Sequence, residues 1–237
     1  MPSFLSNAAC LSKKAVVTGA PTLGPGSFFT DSTASYASPK TFAGVHTSSS
    51  GKVLIMAIGR CGGASGGVGS WAIGGAAATM HIAVMGAGVA QSQIVIATAT
   101  GVPTGSPADL VLTGHSNVGN LSGRVYDVQG WGGSVGASAS NRSTSGFITS
   151  LTATIASLTG AGSLCVAVGG TVNGGCDPYT AAGWTHDFSG ESGTSDGGDT
   201  SAGFFYCTGG AAGSSLAFTP VGIVGDNMWA VGLLELL

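Results

Sequence analysis

The chain has 237 residues, enough for one good hydrophobic core or two small ones. Only 7% of them are charged, 43% are apolar and 43 are glycine. That excludes a disordered chain, which needs low hydrophobicity and high charge, and a basic nucleic-acid-binding surface, which needs clustered Lys and Arg. All seven Lys and Arg lie at or before Arg142 beside three acids, whereas the remainder carries seven acids and no base. This asymmetry suits docking between complementary faces, and a solvated acidic loop explains it as simply.

The N-terminal stretch MPSFLSNAACLSKKAVV lacks a basic start followed by an unbroken apolar core. Synthesis in a cytoplasm without a secretory signal is therefore expected. Residues 61–108 carry no charge, but glycines, His81, Gln91, Ser92 and Gln93 interrupt them. They never offer the ~20 consecutive apolar residues of a membrane helix, so no membrane association is expected. Five cysteines (Cys10, Cys61, Cys165, Cys176, Cys207) form no CxxC pair. An odd number in a chain of this size argues against a disulfide scaffold and for small buried hydrophobes.

In chain order, the segment from Pro21 to Pro39 reads as an extended arm that wraps a neighbour. Short apolar runs rich in β-branched residues follow at 53–58, 80–84, 93–98, 109–113, 124–128, 152–155, 164–168, 203–207, 215–218 and 228–234. Several alternate, as at Ile94, Ile96 and Thr98 or at Leu110 and Leu112. Only the region near 87–93 supports a helical turn or two, and Gly86 and Gly88 weaken it. The polar, acidic and turn-rich segment 179–203 reads as a long surface loop. About ten short strands separated by turn residues predict an all-β fold, an antiparallel β-sandwich, jelly-roll-like, with an extended N-terminal arm. Residues 1–45 are expected to form the arm and first strands, and residues 46–237 a single sandwich domain.

GKVLIMAIGRCGGASGGVGSWAIGG, residues 51–75, places an apolar run before a glycine cluster. A phosphate-binding loop would need Lys followed by Ser or Thr at its end, and none follows Gly59. A dinucleotide site would need a helix after Gly67, Gly69 and Ala72, and SWAIGGAAATMHIAV offers none. VVTGAPTLGPG and YASPK resemble short-chain dehydrogenase motifs, but the glycine spacing is one residue too long and Pro39 breaks the helix that Tyr36 and Lys40 would share. These glycines are expected to turn corners.

His46, His81, His115 and His186 stand far apart, with no HExxH and no GxSxG. His81 is expected in the core and His115 in a turn, and no enzyme is expected. A hydrolase would require a cleft in which a His and an acid converge within hydrogen-bonding distance. The acidic group Asp187, Glu191, Asp196 and Asp199 is the candidate metal site, because DFSGESGTSDGGD offers oxygen ligands suited to Ca²⁺, although a solvated loop competes with this reading. Trp71 and Trp229 lie in apolar strands and are expected in the core. Trp131 and Trp184 sit in turns, where exposure would make them ligand or partner contacts such as a sugar-binding face.

GKVLIMAIG, GSWAIGGAAATM, ADLVLTGHS leading to GRVYDVQGW, GSLCVAVGG and DNMWAVGLLEL together span most of residues 51–237. In pattern and composition they resemble a Gly-rich β-sandwich type among tailed-bacteriophage structural proteins, with a Trp-x-x-Gly-Gly hairpin and a final apolar strand carrying one acid, here Glu235. The resemblance implies a virion protein (head decoration or fibre, minor capsid or tail component) and transfers no functional residues. Its implied partners are further copies of itself, a trimer or larger ring, and virion proteins such as the major capsid protein. Charge depletion agrees with that, since charges are costly to bury between neighbours. A carbohydrate-binding, lectin-like module contacting host-surface glycan is the alternative.

Overall fold

A computed structural model describes residues 20–33, 37–62, 67–85, 90–116, 118–143, 148, 150–172, 179–192, 200–222 and 229–237. Among these residues there is no helix, and fifteen strands follow one another: β1 (Thr22–Asp31), β2 (Lys40–His46), β3 (Lys52–Gly62), β4 (Ser70–Ile73), β5 (Ala76–Met85), β6 (Ala90–Thr100), β7 (Ala108–Thr113), β8 (Val118–Gln129), β9 (Val135–Arg142), β10 (Ala153–Ile155), β11 (Leu164–Val172), β12 (Thr185–Glu191), β13 (Thr200–Thr208), β14 (Leu216–Phe218) and β15 (Ala230–Leu236). The expected antiparallel sandwich is present as two face-packed sheets of unequal size. One has eight strands in the order β1-β8-β3-β6-β5-β4-β7-β2, the other five in the order β12-β13-β11-β15-β9.

The eight-stranded sheet curls until its two edge strands meet, enclosing a first core. Strand alternation sets what enters it: Val53, Ile55 and Ala57 of β3 point inward with Val95, Ala97 and Leu110. Leu54, Met56 and Ile58 point outward and pack with Ile94, Ile96, Val166, Val168 and Phe204 between the sheets. The far face of the five-stranded sheet is covered in turn by the β10–β14 pair and neighbouring loops, which bury Phe205, Phe218, Trp229, Val231 and Leu233. β3, β11 and β15 are therefore buried on both faces, which is why their sequences read as unbroken apolar runs. Each fully buried large side chain contributes on the order of 1.5–3 kcal/mol of transfer free energy.

The Trp-x-x-Gly-Gly stretch forms the β4–β5 hairpin, with Ile73 opposite Ala76 and Gly74 and Gly75 both at positive φ. Two consecutive left-handed residues give the turn whose twist matches its strands. Three expectations need correction. From Thr22 onward the supposed arm is strand β1, paired with β8; Pro25 is accommodated because β1 is an edge strand with a bulge between Leu23 and Gly26. Of the region near 87–93 read as a helical turn, residues 90–93 belong to β6, and 87–89 lie outside the described residues. Within the supposed loop 179–203, Thr185–Glu191 is edge strand β12, half exposed and hence polar in sequence.

Where the sheets touch, there is no room for a side chain at Gly170. A Cβ there would lie 2.1 Å from the Ser201 carbonyl oxygen and 2.9 Å from Ile58 Cδ1. Gly170→Ala should therefore cost about 1–3 kcal/mol in urea denaturation, the range for overpacked cores, with the m-value unchanged.

Candidate functional site

β1 and β2 are the free edges of the curled sheet and share no backbone ladder. They meet instead through side chains in antiparallel order. Ser27 Oγ lies 2.8 Å from His46 Nδ1, the Phe29 and Phe42 rings have centroids 5.1 Å apart, and Lys40 Nζ pairs with the Asp31 carboxylate. The backbone gap leaves an open cleft of ≈ 480 Å³ at one end of this seam, lined by Pro25, Ser27, Val45, His46, Ser49 and Asp127 among others. A break in the β2–β7 register between Phe42 and His46, where the Gly44 N–H donates to Asp109 Oδ1 at 2.7 Å, reorients the end of β2.

Asp127 comes from β8, the neighbour of β1, and is 4% exposed. Its carboxylate accepts hydrogen bonds from Ser48 Oγ at 2.6 Å, from the Ser49 N–H at 2.7 Å, from Ser49 Oγ and from Ser50 Oγ at 3.2 Å. Burial alone would raise its pKa, but these donors outweigh that and hold it down at about 2. The same serines fold the turn into β3: Ser48 Oγ accepts from the Gly51 N–H and Ser50 Oγ from the Lys52 N–H. Burial lowers the pKa of His46, Asp127 opposes this, and the net shift is downward, so the imidazole is neutral near pH 7.

A His and an acid thus approach each other beside a serine hydroxyl, short of the hydrogen-bonding distance set as the condition for a hydrolase. The geometry is incomplete. His46 Nε2 stands 3.8 Å from Asp127 Oδ1, beyond hydrogen-bond range, and has no hydrogen-bond partner. The acid that would orient the ring is held instead by Ser48, Ser49 and Ser50, and the Ser27–His46 contact links β1 to β2 across the seam. Sequence reasoning missed Ser27, His46 and Asp127 as a group. TSSSGK at 47–52 reads as an ordinary turn, and nothing in it reports an aspartate on a distant strand.

The expected metal group is divided. Asp187 and Glu191 lie on β12, whereas Asp196 and Asp199 fall outside the described residues. Asp187 binds across the sandwich: its Oδ2 is 2.9 Å from Arg124 Nη1 and accepts from the Tyr126 hydroxyl at 2.7 Å. The Arg124 guanidinium lies 4.6 Å from the Phe188 ring centroid. Among the described residues no three His, Cys, Asp or Glu side chains gather as a metal site. Trp131 needs correction as a ligand contact: it is 2% exposed, packs between the sheets, and donates from Nε1 to the Ser134 carbonyl at 2.5 Å. Trp184 is half-buried against Phe218 and donates to the Ala217 carbonyl at 2.9 Å. Trp71 and Trp229 are buried as expected. His81 is half-buried on Thr98 Oγ1 at 2.7 Å, and His115, at 6% exposure, is deeper than a turn residue usually is.

A second buried acid, Glu235 on β15, repeats the chemistry of Asp127. It accepts from the N–H groups of Ala137 at 2.9 Å, Thr159 at 2.8 Å and Gly160 at 2.9 Å and from Ser163 Oγ at 2.8 Å. Burial again opposes ionisation, and the four donors prevail, leaving the pKa at about 2.

No family model, no curated protein and no solved structure matches this chain. The two carboxylates make a specific demand on acid stability. Both folded pKa values lie below their ordinary values of 3.8 and 4.5, so their contribution is complete above about pH 5 and is lost as pH falls toward 2. In denaturation at stepped pH, the native chain should lose stability across that window. Asp127→Asn and Glu235→Gln should each be less stable at pH 7 and show a shallower acid slope.

Proposed function

We propose that this chain is a non-enzymatic structural protein of a tailed-bacteriophage particle that associates with further copies of itself and attaches to or decorates the capsid, or the tail. One observation carries the reading: among the described residues most charged side chains are engaged with partners within the fold, while exposed strand positions are largely small and neutral. Asp31 holds Lys40, Asp187 holds Arg124, Lys52 donates to the Trp131 carbonyl, and Asp127 and Glu235 are enclosed by N–H and O–H donors. The exposed positions include Ala77, Thr79 and Ala83 on β5 and Ser138, Ser140 and Asn141 on β9. Such a surface gives up little rotamer entropy and desolvates no charge when a neighbour packs on it. The resemblance in pattern noted above supplies the kind of particle.

The carbohydrate-binding alternative rests on the open polar cleft at the seam, whose hydroxyls and carboxylate suit sugar hydroxyls, now without Trp131 as a stacking platform. Density-gradient sedimentation of particles from the source lysate, followed by peptide mass spectrometry, separates the two. The chain should be recovered in the particle band at many copies per particle. Its absence there, together with binding on a glycan array, would overturn the structural reading in favour of the module. The non-enzymatic part has its own check. A fluorophosphonate probe should leave Ser27 unlabelled in the folded chain, and stoichiometric labelling that is lost in Ser27→Ala would overturn it.

A further inference from the structure

Cys165 on β11 and Cys207 on β13 are forty-two positions apart in sequence, yet they stand directly opposite each other in the antiparallel ladder. Directly opposed residues in such a ladder have Cα atoms ~4.5 or ~5.5 Å apart, according to the type of pair. Both separations fall inside the roughly 4.4–6.8 Å window in which a disulfide closes without moving the backbone. Opposed residues also project on the same face, and here both side chains enter the layer beneath β10 and β14. The two thiols are near enough to shift each other's ionisation. Both cysteines are free thiols in this structure.

We propose that Cys165 and Cys207 form a built-in dithiol that closes to a cross-strand disulfide by exchange with a low-molecular-weight disulfide of the glutathione class. The two sulfurs have different roles because their surroundings differ. Cys207 is half-buried near the end of β13 and within reach of a reagent, whereas Cys165 is fully buried with Ser163 Oγ 3.9 Å from its sulfur. The neighbouring Cys165 thiol lowers the pKa of Cys207, whereas the Cys207 sulfur and burial raise that of Cys165, so Cys207 supplies the thiolate and Cys165 keeps its proton.

The exchange balances in two steps. The Cys207 thiolate attacks the small disulfide, forming a mixed disulfide and releasing one thiolate. Cys165 then attacks the Cys207 sulfur as its proton passes to the departing group, which leaves as the second small thiol. The protein loses two hydrogens, and one small disulfide becomes two thiols. The product ties β11 to β13 and closes the chain segment that contains β12. That removes loop-closure entropy from the unfolded state.

The test uses the full chain, folded, incubated with oxidised glutathione at about pH 8, then blocked with an alkylating reagent and mapped by non-reducing peptide mass spectrometry. The expected result is a peptide pair joined through Cys165 and Cys207, an intact mass lower by two hydrogens for that link, and a thermal midpoint raised by roughly 5–15 °C. Cys165→Ser should stop the reaction at a glutathione adduct on Cys207, and Cys207→Ser should leave Cys165 as a thiol. Native chain in which Cys207 halts at the adduct, or in which both residues are recovered alkylated, would overturn the proposal. So would linkage of either residue to another cysteine instead.

Discussion

A strand buried on both faces can tolerate no unpaired charge on either side, and the layout of this molecule follows from having several such strands stacked in the middle. β3 packs inward on the barrel core and outward on the second sheet, while β11 and β15 have the inter-sheet core on one side and the β10–β14 layer on the other. Three apolar layers in one chain require most residues to be apolar or small. The low charge content is thus a consequence of the architecture, and Asp127 and Glu235 are charges that the fold surrounds.

Asp127 and Glu235 show how that is done without a buried cation hydrogen-bonded to either carboxylate. Each is ringed by backbone N–H groups and serine hydroxyls, neutral donors that replace water around a carboxylate. Such a cage costs no second charge to desolvate, unlike a buried ion pair. It also ties segments remote in sequence to one atom group: Glu235 joins the start of β9 and the loop before β11 to the last strand, and Asp127 joins the turn before β3 to β8. Arg124 and Asp187 serve a related purpose where the two sheets diverge, this time as an ion pair lying against Phe188 and half open to water.

Double burial also decides what could be read from the sequence. The runs at 53–58, 93–98, 164–168 and 228–234 were legible because both faces of those strands are apolar, and an all-β sandwich follows from them. β9 and β12 were not legible as strands, and β1 and β2 only as unplaced first strands within residues 1–45. They are edges, exposed along much of their length, and their Gly, Pro, Ser and Asp content is that of turns and arms. The seam cleft was hidden for a further reason. Ser27, His46 and Asp127 lie on three strands, and only the curling of the sheet brings β1 to β2. Likewise, Cys165 and Cys207 look unrelated until the register of β11 against β13 is known, because spacing along the chain carries no information about opposition across a ladder.

The side-chain closure between β1 and β2 gives the barrel a mechanical grain. Parting any other pair of neighbouring strands in that sheet breaks a backbone ladder, whereas these two are joined through side chains such as the Ser27–His46 bond, the Phe29–Phe42 ring contact and the Lys40–Asp31 ion pair. Load applied across the molecule will concentrate on that line, and the barrel will yield there like a sleeve with one stitched edge. The strands opposite, β5 and β6, lie far from the seam and close to the second sheet. A neighbour gripping the second sheet would therefore hold the stiff side of the barrel directly and reach the seam through β1, whose Phe28 ring packs on Phe188 of β12.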